Sequence, residues 1–394
     1  MARADQLIAP IRSAATGLVA ALMERPAGPA VRVWDGAIRS FHWLLVAAVL
    51  VAGVTGFLGG MTRVGLHLIA GIAIVALVGF RVVWGLFGPT YARFHSFIFA
   101  PRTIIAHLRE LRAGEVHRHL GHNPLGALMV FALLVVLLVI VLAGVVALGG
   151  MFKQGPLGAV TSFALGWQWL GVHRALAWLL LVMVGVHLAG VAFETWRTRE
   201  NLVAAMVTGV KSADPPAVAL PARRARPIVA GVIVLGLTGG VTWCAVRLAE
   251  VPARLPPTSL DPTYAEQCGA CHVVFSPSLN PAAVWDAILA NLQHHFGNDA
   301  SLDAAQVAQI RAYLDANSAE HWDTLPANLL RVRDPGDPLR MTATPYWRHI
   351  HAGIPARVFA SPAVGAKYAC DACHRDAATG RFAPQRIDVP AAAR

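Results

Sequence analysis

Residues 173–187 read HRALAWLLLVMVGVH, an apolar run closed at both ends by histidine and otherwise broken only by Arg174. On a helix, fourteen positions at about 100° each fall about 40° short of four full turns, so both imidazoles share one face, about 21 Å apart along the axis. Ionisable groups inside a membrane-length apolar segment are rare and read as functional. Working outward, residues 169–195 are long enough as a helix to cross a bilayer core of about 30 Å. So are 41–60, 66–87, 125–148 and 228–248. His42 opens the first of these spans and His67 the second. Depth pairs His187 with His42 towards one membrane face and His173 with His67 towards the other. The spacing fits two stacked porphyrins, each held by neutral imidazoles from different helices.

The whole chain agrees with a membrane reading. Its 394 residues are 56% hydrophobic and only 14% charged, with a mean hydropathy of +0.54, against about 25% charged in ordinary soluble domains. The formal net charge of +11 belongs to one half: residues 1–248 hold 21 Lys and Arg against 8 Asp and Glu, and residues 249–394 hold 12 against 14. Basic excess confined to the greasy half argues for membrane-flanking charge and against a nucleic-acid surface. Segments 1–40, 81–123 and 196–227 carry 5, 6 and 6 of those basic residues, whereas the connections after spans one and three carry only Arg63 and Lys153. Positive charge stays inside, so the N-terminus is expected in the cytoplasm and, after five crossings, the C-terminal part outside. The apolar stretch of residues 1–30 is interrupted by Pro10 and Arg12. It reads as a cytoplasmic extension with an interfacial amphipathic helix rather than a span or signal peptide.

Four of the five cysteines fall in two copies of one motif, Cys268-Gly-Ala-Cys271-His272 and Cys370-Asp-Ala-Cys373-His374. Cys-x-x-Cys-His is the signature of covalent c-type haem attachment, with both sulfurs in thioether bonds and the adjacent histidine on the iron. Such haems are attached on the outer side of the bacterial inner membrane, which agrees with the charge-based orientation. The remaining Cys244 reads as a small apolar residue. Candidates for the sixth ligands are His294, His295, His321, His349, His351 and Met341. In this half, clear helical patterns cover only about 281–292 and 302–317, leaving a thin core that two porphyrins would complete. Arg81 and Arg174 are candidate haem-propionate partners, although snorkelling to lipid phosphate fits them equally well. His95, His107, His117, His119 and His122 lie between spans and are expected to be solvated or to face headgroups, with His122 the best of them for a quinone or proton site.

The segments WDGAIRSFHWLL, GLHLIAG, FRVVWGLFGPTYARFHSF, LGHNPLGALMV and HRALAWLLLVMVGVHLAGVAFETWRTRENLVAAMVTG resemble the bacterial cytochrome b561 and nickel-iron hydrogenase b-type cytochrome family over about residues 31–211. The resemblance implies a four-helix di-haem b core with His42, His67, His173 and His187 as ligands, and electron exchange with the quinone pool. The blocks CGACHVVFSPSLNPAAVWDAILANLQHHFGNDASLD, RMTATPYWRHIHAGIPARVF and CDACHRDAATGRF resemble the small di-haem cytochromes c over about residues 262–390. That likeness implies bis-His ligation and points to His295 and His351, with His294 and His349 as near rivals.

The expected architecture is an all-α membrane protein. A cytoplasmic extension (1–30) precedes a four-helix di-haem b bundle (31–211). A linker (212–227), a fifth transmembrane helix (228–248) and a spacer (249–261) lead to a mostly irregular and α-helical periplasmic di-haem cytochrome c domain (262–394). The expected cofactors are two haem b and two haem c, with a bound quinone as a further candidate. The function expected of a chain in the bacterial inner membrane is electron transfer between membrane quinol and a soluble periplasmic c-type partner. As an enzyme it would be a quinol:cytochrome c-type oxidoreductase. Superoxide oxidation at the outer b haem is an alternative, disfavoured by the c domain over that face. A membrane-anchor subunit of a larger oxidoreductase is another, and a homo-oligomer or larger complex is compatible with either.

Overall fold

The computed structural model describes residues 30–60, 63–212, 220–251 and 253–391. The expected interfacial helix of the N-terminal extension lies outside the described residues, as do residues 213–219 of the linker and Pro252 of the spacer. Five described helices are long and apolar enough to cross a membrane: α1 (Gly36–Leu58), α2 (Val64–Phe87), α4 (Pro124–Phe152), α5 (Phe163–Thr198) and α7 (Pro227–Glu250). Between them lie α3 (Pro101–Ala113) and α6 (Leu202–Thr208). The C-terminal part holds only short helices: α8 (Pro262–Cys268), α9 (Ala282–Leu289), α10 (Ala304–Asn317), α11 (Leu325–Leu329), α12 (Pro345–His351) and α13 (Ala356–Phe359). The described residues form two compact units, the first drawn from 1–58, 66–142 and 174–242, the second from 59–65, 143–173 and 243–394.

In the first unit, a two-stranded clip joins β1 (Ala30–Arg32) antiparallel to β2 (Val210–Ser212), pairing Ala30 with Ser212 and Arg32 with Val210. It fastens the entry of α1 to the exit of α6. Asp35 caps α1 by accepting from the amides of Ala37 (2.8 Å) and Ile38 (3.1 Å), and its second oxygen accepts from Trp84 Nε1 (3.3 Å). Capped this way, α1 starts five residues before the apolar run that marks its span. Asn123 does the same for α4, accepting from Gly126 N at 2.6 Å. Residues 220–226, expected as part of a polar linker, are fastened to the turn after α2. Thr90 Oγ1 donates to Pro221 O (3.1 Å) and accepts from Arg223 N (2.7 Å), while Arg226 N donates to Phe87 O (2.9 Å).

The second unit contains the close crossing of α4 and α5. Gly150 and Gly166 are both buried, and a Cβ added to Gly150 would come within 2.6 Å of Gly166 Cα. Only glycine permits this approach, the small-residue contact by which helices pack in lipid. Helix α5 begins at Phe163, six residues before the expected span. Its first amides have acceptors, Ser162 Oγ for Leu165 N (3.2 Å) and the Asp323 carboxylate for Phe163 N (2.8 Å). With 36 residues it is about 54 Å long and overhangs a bilayer core of about 30 Å. The C-terminal part is more regular than its sequence suggested, because four of its six short helices carry a side-chain cap. Asp261, Asp303, Thr324 and Thr344 accept from the amides of Tyr264, Gln306, Ala327 and Trp347. Its core gathers Tyr264, Trp285, Leu289, Ile310 and Leu314, with a smaller cluster at Val358 and Val364.

Gly150→Val or Gly166→Val should force the α4–α5 crossing apart at a cost of about 2 kcal/mol or more, seen as a lowered thermal unfolding midpoint in detergent. Gly236→Ala on α7, where an added Cβ meets nothing within 4 Å, should leave the midpoint unchanged.

Candidate haem sites

Each expected membrane ligand occupies a half-buried position on a spanning helix. His67 on α2 reaches α1: its Nδ1 lies 3.0 Å from Ala52 O and 3.2 Å from Thr55 Oγ1. A carbonyl accepts only, so Nδ1 carries the proton and the Nε2 lone pair is left for a metal, the usual division of labour in a metal-binding histidine. The ring also rests on glycine, since a Cβ on Gly56 would lie 3.1 Å from His67 Cε1. In the second unit His173 repeats this feature, with the Cβ position of Gly144 on α4 at 3.2 Å from its ring. His42 on α1 keeps a buried Nδ1 with no hydrogen-bond partner and is within electrostatic reach of His187 on α5. That nitrogen lacks the backbone acceptor that His67 finds. Thr55, Gly56 and Gly144 were not singled out from sequence. A glycine at the depth of a histidine on the neighbouring span was the available signal.

Arg81 is only 4% exposed. Its Nη1 donates to Ala92 O at 3.1 Å, and its guanidinium lies over the rings of Phe94 (4.6 Å) and Phe97 (5.8 Å). Arg174, beside His173, is exposed. The loop histidines divide. His95 and His117 are exposed as expected, but His107, His119 and His122 are not. Helix α3 folds His107 to 2% exposure, with the ring of His119 at 5.6 Å. His122 is packed between Trp34 (4.8 Å) and Phe97 (4.5 Å). Burial, together with the positive charges of Arg81 and Lys211, pushes its imidazole down to about 3. These three are interior groups and not solvated ones.

In the C-terminal part the structure brings each motif histidine opposite a second imidazole. The rings of His272 and His295 are 6.3 Å apart, tilted by 22°, and those of His374 and His351 are 6.2 Å apart at 68°. A metal about 2 Å from each nitrogen, with each ring centre about 1.1 Å further back, sets two axial imidazoles about 6 Å apart. Both pairs therefore have room for one iron. His272 Nδ1 hydrogen-bonds to Val273 O (2.7 Å) and His351 Nδ1 to Trp347 O (2.9 Å), which again leaves Nε2 available. Burial lowers the affinity of His295, His351 and His374 for protons, keeping them neutral, and raises the Cys268 and Cys370 thiols to about 11.

Local backbone selects among neighbouring histidines. After His295 the chain reverses through Phe296 (φ 50°) and Gly297 (φ 98°), both left-handed. His295 turns inward by this bend, and His294 stays exposed. His351 ends α12, whose cap, Thr344, is fully buried, whereas His349 is exposed. His321 is exposed, its Nε2 on Asp315 O at 2.9 Å. Met341 opens a short 3-10 turn.

The segment bearing the c motifs is tied to the α4–α5 connection. Lys153 Nζ lies 2.9 Å from Asp323 Oδ2, the oxygen that also accepts from Phe163 N, and Gln154 pairs with Gln385. Beside this seam is a cavity of about 510 Å³ whose lining includes Lys153, Arg375, Arg381 and Arg386.

The family model of the prokaryotic cytochrome b561 matches residues 33–209, and that of the dihaem cytochrome c matches residues 264–382. Among curated proteins, a probable Ni/Fe-hydrogenase B-type cytochrome subunit of Azotobacter chroococcum is 28% identical over 233 residues, covering 46% of this chain and 88% of that protein. Its counterpart from Rhodobacter capsulatus is 24% identical over 216 residues, covering 45% and 80%. Among solved structures, DHC from Rhodobacter sphaeroides is 35% identical, covering 31% of this chain and 96% of its own, with a TM-score of 0.25. The dihaem cytochrome c of Shewanella baltica is 31% identical, covering 34% and 95%, with a TM-score of 0.27. A membrane cytochrome b continued into a dihaem cytochrome c transfers electrons across the membrane, with haem b and haem c as its cofactors. Residues 33–209 belong to the prokaryotic cytochrome b561 family and residues 264–382 to the dihaem cytochrome c family, joined in one chain.

Proposed function

We propose that the chain oxidises membrane quinol and delivers the electrons to a soluble periplasmic redox protein, through two b and two c haems. When bound, the haems supply one-electron carriers, which let a two-electron quinol be oxidised in single steps. His42 and His187 hold one b haem, His67 and His173 the other. His272 with His295, and His374 with His351, hold the c haems fastened by Cys268, Cys271, Cys370 and Cys373. Arg174 is placed beside His173 to meet a propionate. The Arg-rich loops face the cytoplasm and the c segment the periplasm, in keeping with the charge asymmetry.

The observation that carries this reading is the Asp323 tie. It caps the first turn of α5 and fastens the c segment to it, and His173 follows ten residues on, about 15 Å along the same helix. The outer b ligand and the c segment thus share one folded unit. The carbonyls of Ala52, Val273 and Trp347 hold the rings of His67, His272 and His351 in one tautomer. A second reading, an electron-transfer subunit of a larger oxidoreductase, is favoured by the hydrogenase-subunit relatives. Quinol-driven reduction of the c haems by the isolated chain would separate the first reading from the second.

Acid-acetone extraction followed by a pyridine haemochrome assay should return b and c haem in equal amounts. His295→Ala or His351→Ala should leave both c haems covalently attached while converting one to a high-spin spectrum. In purified protein, His173→Ala should abolish quinol-driven c-haem reduction with the c haems still in place. Normal c-haem reduction in a protein shown to lack the outer b haem would overturn the proposed route.

A further inference from the structure

The first unit holds a cluster of titratable side chains at the Arg-rich end that haem binding does not use. It runs inward from solvent through imidazoles and carboxylates. His117, with 58% of its side chain exposed, places Nδ1 3.4 Å from Glu110 Oε2, and Glu110 is 33% exposed. The same oxygen lies 3.4 Å from Nδ1 of His107, whose side chain is 3% exposed. The ring of His107 is 5.6 Å from that of half-buried His119. His119 in turn lies in the field of Glu194, on the penultimate turn of α5. Seven residues separate Glu194 from His187, two turns on the same face and about 10 Å along the axis.

A purely structural charge network would have its polar atoms satisfied. Here Arg118 and Lys211 share the Glu200 carboxylate at 2.7 and 3.4 Å, and Arg197 sits 4.0 Å from Glu194. The histidines take no part in those pairs. His107 Nδ1 and Nε2, His119 Nδ1, Thr195 Oγ1 and all three Arg197 nitrogens are buried without a hydrogen-bond partner. Each imidazole can accept on one nitrogen and donate from the other, and the contacts from His117 through Glu110 to His107 are near hydrogen-bond distance. Chains of Glu and His of this kind carry protons in membrane proteins.

We infer that His117, Glu110, His107 and His119, continued to Glu194, form a proton relay that opens to solvent at the Arg-rich end and carries the protons of quinone oxidation. The inference rests on the quinone reading of the previous subsection. Oxidation of one quinol breaks both O–H bonds. Two protons pass to the inner end of the relay and leave at His117, while two electrons pass singly to ferric b haem, leaving the quinone. Glu200, Arg118, Arg197 and Lys211 lie around the relay, and the carboxylates of Glu194 and Glu200 offset part of the positive charge that a passing proton meets.

The test uses the full haem-loaded chain in liposomes with decylubiquinol as donor. Ferricyanide outside serves only the molecules whose c segment faces outward, and a pH dye trapped in the lumen reads their Arg-rich end. Wild type should acidify the lumen by one proton per electron. Glu110→Gln and His107→Gln should slow acidification and turnover about tenfold or more, with b and c spectra unchanged, and added imidazole should restore much of the rate in Glu110→Gln. Wild-type acidification rates in both variants, or protons appearing outside in wild type, would overturn the relay. If decylubiquinol fails to reduce the b haems of wild type in a single turnover, the quinone reading itself fails and the relay with it. A relay defect differs because that first reduction survives.

Discussion

The candidate haem sites depend on keeping an imidazole aimed, with one ring nitrogen satisfied by the protein. A bare imidazole in a membrane bundle is costly, so one nitrogen must find a protein acceptor while the other keeps its lone pair for a metal. His67 does so against the Ala52 carbonyl of the neighbouring span, His272 against Val273 and His351 against Trp347. The surroundings then follow. Glycines 56 and 144 let the rings of His67 and His173 lie against helix backbone, and the left-handed bend at Phe296 and Gly297 turns one histidine of a neighbouring pair inward. Removing an acceptor would free the ring to rotate and to protonate on either nitrogen, which degrades a ligand without touching the iron.

Much of this was legible in the sequence, because lipid imposes a simple rule. Apolar runs of membrane length declared the five spans, and histidines inside them declared themselves. The span ends were less legible. Asp35, Ser162 and Asp323 extend helices beyond their apolar stretches, and Asp323 lies 160 positions from the amide it caps. The clip of β1 and β2 has three residues a side, too few to leave a periodic signal. The choice of His295 over His294 turns on a positive φ at Phe296, which a phenylalanine does not advertise. The burial of His107 and His119 was hidden for another reason. They sit among charged residues, and only the folding of α3 withdraws them from solvent.

The two ends of the molecule show opposite electrostatic designs. At the Arg-rich end, Arg118, Lys211, Glu194 and Glu200 gather into a partly buried, charge-compensated cluster next to imidazoles. In the second unit the charges are spread over exposed ion pairs, and one of them, Asp323, serves as both helix cap and tether. The shared carboxylate, with the Gln154–Gln385 pair, fastens the c segment to the start of α5 and the connection before it. It also makes the distance from His173 to the c segment a property of one folded unit.

The central claim is that electrons pass between b and c haems inside a single molecule. The most direct measurement is stopped-flow absorption of the purified full chain, reduced at its b haems and mixed with a limiting oxidant that reaches only the c haems, at several protein concentrations. The account predicts that c-haem re-reduction mirrors b-haem oxidation at a rate that does not change with concentration. A rate that rises in proportion to protein concentration, or b haems that stay reduced while the c haems remain oxidised, would contradict it.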